Sequence, residues 1–167
     1  MDADTKKTAL RMIPYGIYVL TVADKNGAIA AATVNWVTQS AFSPPLVVVG
    51  VKADSATYAQ VKETGRFALN MLGKGQQGIA FSLFKPAQVE EGKISGEPYR
   101  AGSTGQPLLE NAFAAVECKV TDIVERGDHH VIVAEVVDAH VGQALEGRPD
   151  STILEMKDLG DNVFYGG

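Results

Sequence analysis

Apolar and polar positions alternate with period two in several segments of this chain, and the period lengthens to that of a helix in a few short stretches. Residues 3 to 13 predict a short helix with Leu10, Met12 and Ile13 on an apolar side, stopped by Pro14. Gly16 to Ala23 reads as a strand, and Asp24-Lys25-Asn26-Gly27 supplies a hairpin turn, since Asn-Gly suits the positive φ of such turns. The stretch from Ala31 to Val51 then organises the rest. In it Ala32, Val34 and Trp36 alternate with Thr33, Asn35 and Gln39, which predicts a strand with an apolar face and a polar ledge. Ser43-Pro44-Pro45 makes a rigid corner, and Leu46 to Val51 is a β-branched and aliphatic run expected to be buried on both sides.

Asp54-Ser55-Ala56-Thr57 carries cap-forming side chains, with capping-box spacing from Thr57 to Gln60, and predicts a helix that runs to Thr64 and ends at Gly65. Arg66 to Leu72 is a further strand. Gln76 to Phe84 is expected to be a second helix, with Ile79/Leu83 and Ala80/Phe84 one turn apart, before Pro86 ends it. Ala87 to Pro107 is polar, glycine-dotted and aperiodic, which suits a partly ordered lid or surface excursion. Asn111 to Val124 and His130 to Val141 form a long hairpin about Arg126-Gly127-Asp128, and the tail stays polar until Val163-Phe164-Tyr165. Six or seven strands with short helices and no regular β-α-β alternation predict a mainly β fold, an antiparallel barrel with short helical insertions.

At 167 residues the chain is expected to form one domain spanning 1–167, able to bury about 70% of its unfolded surface. The net charge of −5, without a dense Lys/Arg cluster, argues against nucleic acid or an anionic membrane as partner. No stretch reaches the roughly 20 apolar residues of a membrane span, and the charged first residues do not resemble a signal peptide. The expected localisation is cytoplasmic. Cys118 has no internal partner and falls in a strand pattern, as a buried structural thiol would.

Four places could carry chemistry. Gly73-Lys74-Gly75-Gln76-Gln77-Gly78 matches the dinucleotide fingerprint between a strand and a helix, but no returning parallel strand closes a βαβ unit, so an ordinary turn explains it better. The ledge Thr33, Asn35, Thr38, Gln39 and Ser40 bears no charge, whereas a merely solvated face usually carries Lys or Glu; its amides and hydroxyls suit a neutral heterocycle. The helix start at Ser55 and Thr57 could cap the helix or receive a phosphate, with Lys85 as a cation and Asp54 opposing. His129 and His130 would point to opposite faces of a strand, one to the ledge and one to the surface, and make a poor chelating pair, so no metal site is expected.

The blocks AATVNWVTQSAFSPPLVVVGV, DSATYAQVKETGRFALNML and GDHHVIVAEVVDA, in this order and spacing, resemble the flavin reductase-like proteins, which have an FMN-binding split β-barrel. The resemblance runs from about Met12 to His140. It implies a homodimer with FMN near the dimer interface, NADH or NADPH as electron donor, and a flavin, iron or protein acceptor. Thr33, Val34, Asn35, Trp36, Val37, Thr38, Gln39 and Ser40 would line the isoalloxazine and ribityl chain, partly through backbone groups. Ser55, Thr57 and Lys85 would hold the phosphate, with Phe84 also in the cofactor set. His129 would lie by the ring or the nicotinamide as the residue closest to the chemistry, while the tail past His140 matches weakly and leaves the place of Phe164 and Tyr165 open. Two further readings stay open: an FMN electron carrier that does not use nicotinamide, and a dinucleotide binder built on Gly73 to Gly78.

Overall fold

The computed structural model describes all 167 residues. Helix α1 (Ala3–Arg11) opens the chain, and β1 (Tyr18–Ala23) and β2 (Ile29–Val34) form the first hairpin. A second hairpin, β3 (Val37–Phe42) and β4 (Pro45–Lys52), leads into α2 (Ala56–Thr64) and β5 (Arg66–Met71). Next come α3 (Gln77–Ser82) and four short strands, β6 (Val89–Glu90), β7 (Lys93–Ile94), β8 (Glu97–Ala101) and β9 (Pro107–Leu109). The long hairpin of β10 (Ala114–Val124) and β11 (His129–Val141) follows, and the tail holds two 3₁₀ turns, Pro149–Ser151 and Met156–Leu159.

Seven strands make one antiparallel sheet in the order β2-β1-β5-β10-β11-β4-β3. Its two edges, β2 and β3, are neighbours in sequence, joined only by Asn35 and Trp36. A flat sheet of this width would part those edges by about 29 Å, at about 4.8 Å per strand. The three Cα steps from Val34 to Val37 reach at most about 11 Å. The sheet therefore has to curl until its edges approach, which makes a barrel; no ladder joins β2 to β3, so the barrel is split along that seam.

The inner face carries Leu20 and Val22 from β1, Phe67 and Leu69 from β5, Cys118 from β10, Ile132 and Ala134 from β11 and Val49 and Val51 from β4; Tyr58 and Val61 of α2 pack against the same cluster. On the other face Val19, Ala31 and Leu72 pack under Ile79, Ala80 and Leu83, under Ile94 and Leu109, and under Leu154 and Leu159 of the tail. Buried polar groups tie these layers together: Asn70 Nδ2 donates to the Val19 carbonyl and the Thr21 hydroxyl, and its Oδ1 accepts from the Leu109 amide.

The antiparallel, mainly β architecture with helical insertions is the one the sequence predicts, but several local expectations change. The Ala31–Val51 stretch is not one ledge strand followed by one buried strand. It breaks at Asn35–Trp36 into strands on opposite edges, and in β4 only Val49 and Val51 are buried. Ser55 caps α2 by accepting from the Tyr58 amide at 3.1 Å, which displaces the Thr57–Gln60 capping box. Helix α3 is shorter than predicted, and Phe84 leaves it to pack edge-on against Phe81 at 5.4 Å, with no Ala80–Phe84 stack. The 87–107 segment is an ordered β-meander whose last strand, Pro107–Leu109, is fully buried. Leu10, Met12 and Ile13 remain exposed.

Candidate functional site

The seam of the barrel is where the predicted ledge lies, and it divides into an engaged half and a free half. Thr33 donates its hydroxyl to the Ala80 carbonyl at 2.8 Å and its amide to the Leu83 carbonyl at 3.3 Å. Those bonds dock the end of β2 onto α3 and bring Phe84 and Lys85, both exposed, to the rim of the seam. Asn35 is buried and donates from Nδ2 to the Tyr165 carbonyl at 2.9 Å, so it is not on a wettable face. Val34 and Val37 pack inward on the barrel core. Thr38, Gln39 and Ser40 are exposed on the edge strand, and the side chains of Thr38 and Gln39 bond only to the nearby Gln39 and Ala41 carbonyls.

Between the halves sits an aromatic group. Trp36 is held by its carbonyl, which accepts from the Gly50 amide at 2.8 Å. The His129 ring meets the indole edge-on at 4.6 Å between centroids, and the Tyr165 ring lies 5.6 Å from the same indole. Trp36 Nε1 is buried with no hydrogen-bond partner. His129 pairs through Nδ1 with Asp128 Oδ1 at 3.0 Å and through Nε2 with the Tyr165 hydroxyl at 2.7 Å. Its register partner across the ladder is Lys52, which places it beside the turn into α2. Tyr165 is the residue that the pattern of the chain left open, and no local signal marks it: its partners lie 36 and 130 residues away.

At that turn Ser55 is engaged, since its hydroxyl accepts from Tyr58 and donates to the Lys52 carbonyl at 2.7 Å. Thr57 is buried in the first turn of α2 and its amide makes no hydrogen bond within the chain. Asp54, which would oppose an anion here, pairs with Lys52 at 3.1 Å. Thr38 to Ser40 on the edge strand, the helix start at Ser55 and Thr57, and His129 are thus linked through β4. Lys85 approaches from the β2 side of the seam.

The other sequence candidates resolve differently. Gly73 to Gly78 forms a turn between β5 and α3, and β5 is antiparallel to both its neighbours, so no dinucleotide unit exists there. A Cβ at Gly73 would come within 2.1 Å of the Phe113 ring, and Gly75 has φ +91°, so local steric and backbone demands account for these two glycines. His130 does point away from His129, but it is largely covered: it packs edge-on against Tyr58 at 4.9 Å, with Nδ1 buried, 3.9 Å from Glu125 and without a hydrogen bond. Cys118 is fully buried, and burial together with the neighbouring Glu117 charge pushes its thiol up to about 12. A separate cleft of about 420 Å³ lies between the end of α1 and the tail, lined by Arg11, Met12, Tyr15, Met156 and Phe164 and bounded by Tyr165. No helix is long and apolar enough to cross a membrane.

With this geometry in place, the chain compares closely with known proteins. It is 27% identical over 141 residues to a flavin reductase of Pseudomonas putida, covering 84% of this chain and 81% of that one. It is 32% identical to diflavin flavoprotein A 1 of Synechocystis, covering 86% of this chain but 25% of that protein, so the chain corresponds to a quarter of the larger one. The styrene monooxygenase flavin reductase of Pseudomonas putida S12 superposes with a TM-score of 0.71 at 25% identity, over 85% of this chain and 88% of that structure. Residues 10–156 match the flavin reductase like domain, and the chain belongs to that family.

Proposed function

We propose that this protein is an NAD(P)H:flavin oxidoreductase that holds FMN along residues 33–40 and passes the electrons to a second flavin, an iron species or a protein acceptor. The observation that carries this reading is the exposed, uncharged row Thr38-Gln39-Ser40 beside the half-buried Trp36–His129 pair, on a chain of the flavin reductase-like family.

The residues at the seam fit an FMN. Thr38 and Gln39 bond only to nearby carbonyls, and Ser40 is exposed, so their hydroxyls and amide can turn to the polar edge of a flat ring. Thr33 and Asn35 have committed their side chains, so they would contribute, with Val34, Trp36 and Val37, through the backbone that frames the seam. The first turn of α2 offers the Thr57 amide and the positive end of the helix dipole to a phosphate, with Ser55 beside it and Lys85 as cation; Phe84 gives apolar cover. One such corner suits a mononucleotide. Bound FMN would accept a hydride from the nicotinamide, chemistry that belongs to the cofactor. The protein orients the two rings, excludes water with Trp36, and places His129 at the approach to the ring.

An open seam with an uncharged edge strand would be closed by a second copy, and we therefore assign a homodimer. The styrene monooxygenase flavin reductase makes an oxygenase a reasonable class of protein acceptor for this chain as well. The match to one quarter of a diflavin flavoprotein fits a module within a larger flavoprotein, and the second reading is an FMN electron-transfer module without direct nicotinamide use. One experiment separates them. Protein reconstituted with FMN should be yellow after gel filtration, and anaerobic NADH or NADPH should bleach it within turnover time. A yellow protein that no nicotinamide bleaches is an electron carrier, and a colourless one overturns the flavin site.

A further inference from the structure

We infer that Tyr165 is a positioning residue for His129, holding the imidazole edge-on to Trp36 through a hydrogen bond to Nε2. For its role in turnover this rests on the flavin reading above; the contact itself does not.

Both ring nitrogens of His129 are committed. Asp128 faces Nδ1 at 3.0 Å and a carboxylate can only accept, so Nδ1 carries the proton in the neutral ring. Nε2 is then a lone pair, and the Tyr165 hydroxyl at 2.7 Å donates to it. The phenol is a donor at neutral pH, as any tyrosine with its ordinary pKa of about 10 is; burial raises that value further, with the Lys52 charge opposing and the Asp128 and Asp54 charges reinforcing the rise. The Asp128 side chain is 94% exposed and Tyr165 48%, so the carboxylate's hold on the ring is the more screened of the two.

The placement of Tyr165 is over-determined by the site itself. Its backbone carbonyl accepts from Asn35 Nδ2 at 2.9 Å, while its ring packs on Trp36 and its hydroxyl meets His129, so two seam residues and His129 all hold one residue. On either side the segment is fixed to α1: the Arg11 guanidinium lies 3.9 Å over the Phe164 ring, and Arg11 Nε donates to the Gly166 carbonyl at 3.4 Å. A ring serving only as cover would need the contact with Trp36 and not the hydroxyl bond to His129 Nε2.

Tyr165→Phe keeps the ring and removes the bond. In flavin-free protein, the ¹⁵N resonance of His129 Nε2 should shift downfield relative to wild type, as an acceptor nitrogen does when its donor is lost. With FMN bound, kcat/KM for NADH should fall about three- to tenfold, the loss expected for one hydrogen bond, with FMN affinity changed less than about twofold. In a His129→Ala background the same substitution should have no further effect, because Tyr165 acts through the imidazole. Tyr165→Ala, which also removes the ring, should lose more and should weaken FMN binding. An unchanged Nε2 resonance in Tyr165→Phe, or a loss that persists without His129, overturns the inference. A wild-type protein that takes up no flavin overturns the proposed function and the positioning role with it, while the resonance still reports the contact.

Discussion

Glu117 shows how far a residue's role can lie from its pattern. It sits in β10 among alternating residues that read as an ordinary strand, yet it is fully buried. Its carboxylate accepts from the Ser103 amide at 2.8 Å, the Ser103 hydroxyl at 3.1 Å, the Thr104 amide at 2.6 Å and the Thr104 hydroxyl, and it meets His140 Nε2 at 2.8 Å. Those bonds use up the lone pairs, so the cluster of Glu117, Asp138 and His140 reads as a pin that fixes the 102–106 turn to the barrel. Burial alone would raise the Glu117 pKa, but the bonds from Thr104, His140 and Ser103 outweigh it and lower the value from 4.5 to about 2. A carboxylate with a depressed folded pKa stabilises the fold above its unfolded pKa, and loses that contribution as pH falls from about 4.5 to about 2. We expect Glu117→Gln to cost on the order of 2 to 3 kcal/mol at pH 7 and progressively less toward pH 2, measured by urea unfolding across that range. Neither this pin nor the Asn35–Tyr165–His129 contacts could be read from the chain. Each joins side chains at least 13 residues apart in sequence, and local periodicity carries no information at that separation.

At the scale of elements, the signals that came through are those with a local physical cause. The Asn-Gly turn, the Ser55 cap, the Gly65 helix end and the β10–β11 hairpin all depend on residues within a few positions of one another. The 87–107 meander was missed because its strands are two to five residues long and gain stability only by packing, as Ile94 and Leu109 do against the outer core. The glycine run from Gly73 to Gly78 is the converse, a pattern with a famous meaning and a different local cause. Gly75 has no atom within 4 Å of a would-be Cβ, so replacing it strains the backbone without touching the seam. Gly75→Val should lower stability by about 1 to 2 kcal/mol for the left-handed conformation and leave the FMN dissociation constant unchanged. Loss of flavin binding in that variant would move the cofactor site to the β5–α3 turn.

For the whole molecule, the seam is the governing feature. A split barrel leaves β3 as an edge strand, with Phe42 at its end 91% exposed, an arrangement that a single chain does not cover. If a second copy covers it, sedimentation equilibrium should give roughly twice the 17.7 kDa chain mass, and Phe42→Asp should shift the population toward monomer and weaken FMN binding in parallel. A monomeric wild type that binds FMN normally would remove the homodimer from the proposal. Short-range signals in the chain suffice for the strand-rich class, the β1–β2 and β10–β11 hairpins, a start of α2 near residues 54 to 57 and the uncharged character of residues 33 to 40, because each follows from backbone propensity and side-chain chemistry over short spans. It takes the closed fold to split the stretch at Asn35–Trp36, to spend some polar groups inside and leave others free, and to bring Tyr165 to His129. Those outcomes follow from closure of the sheet, which sets distances between residues far apart in the chain.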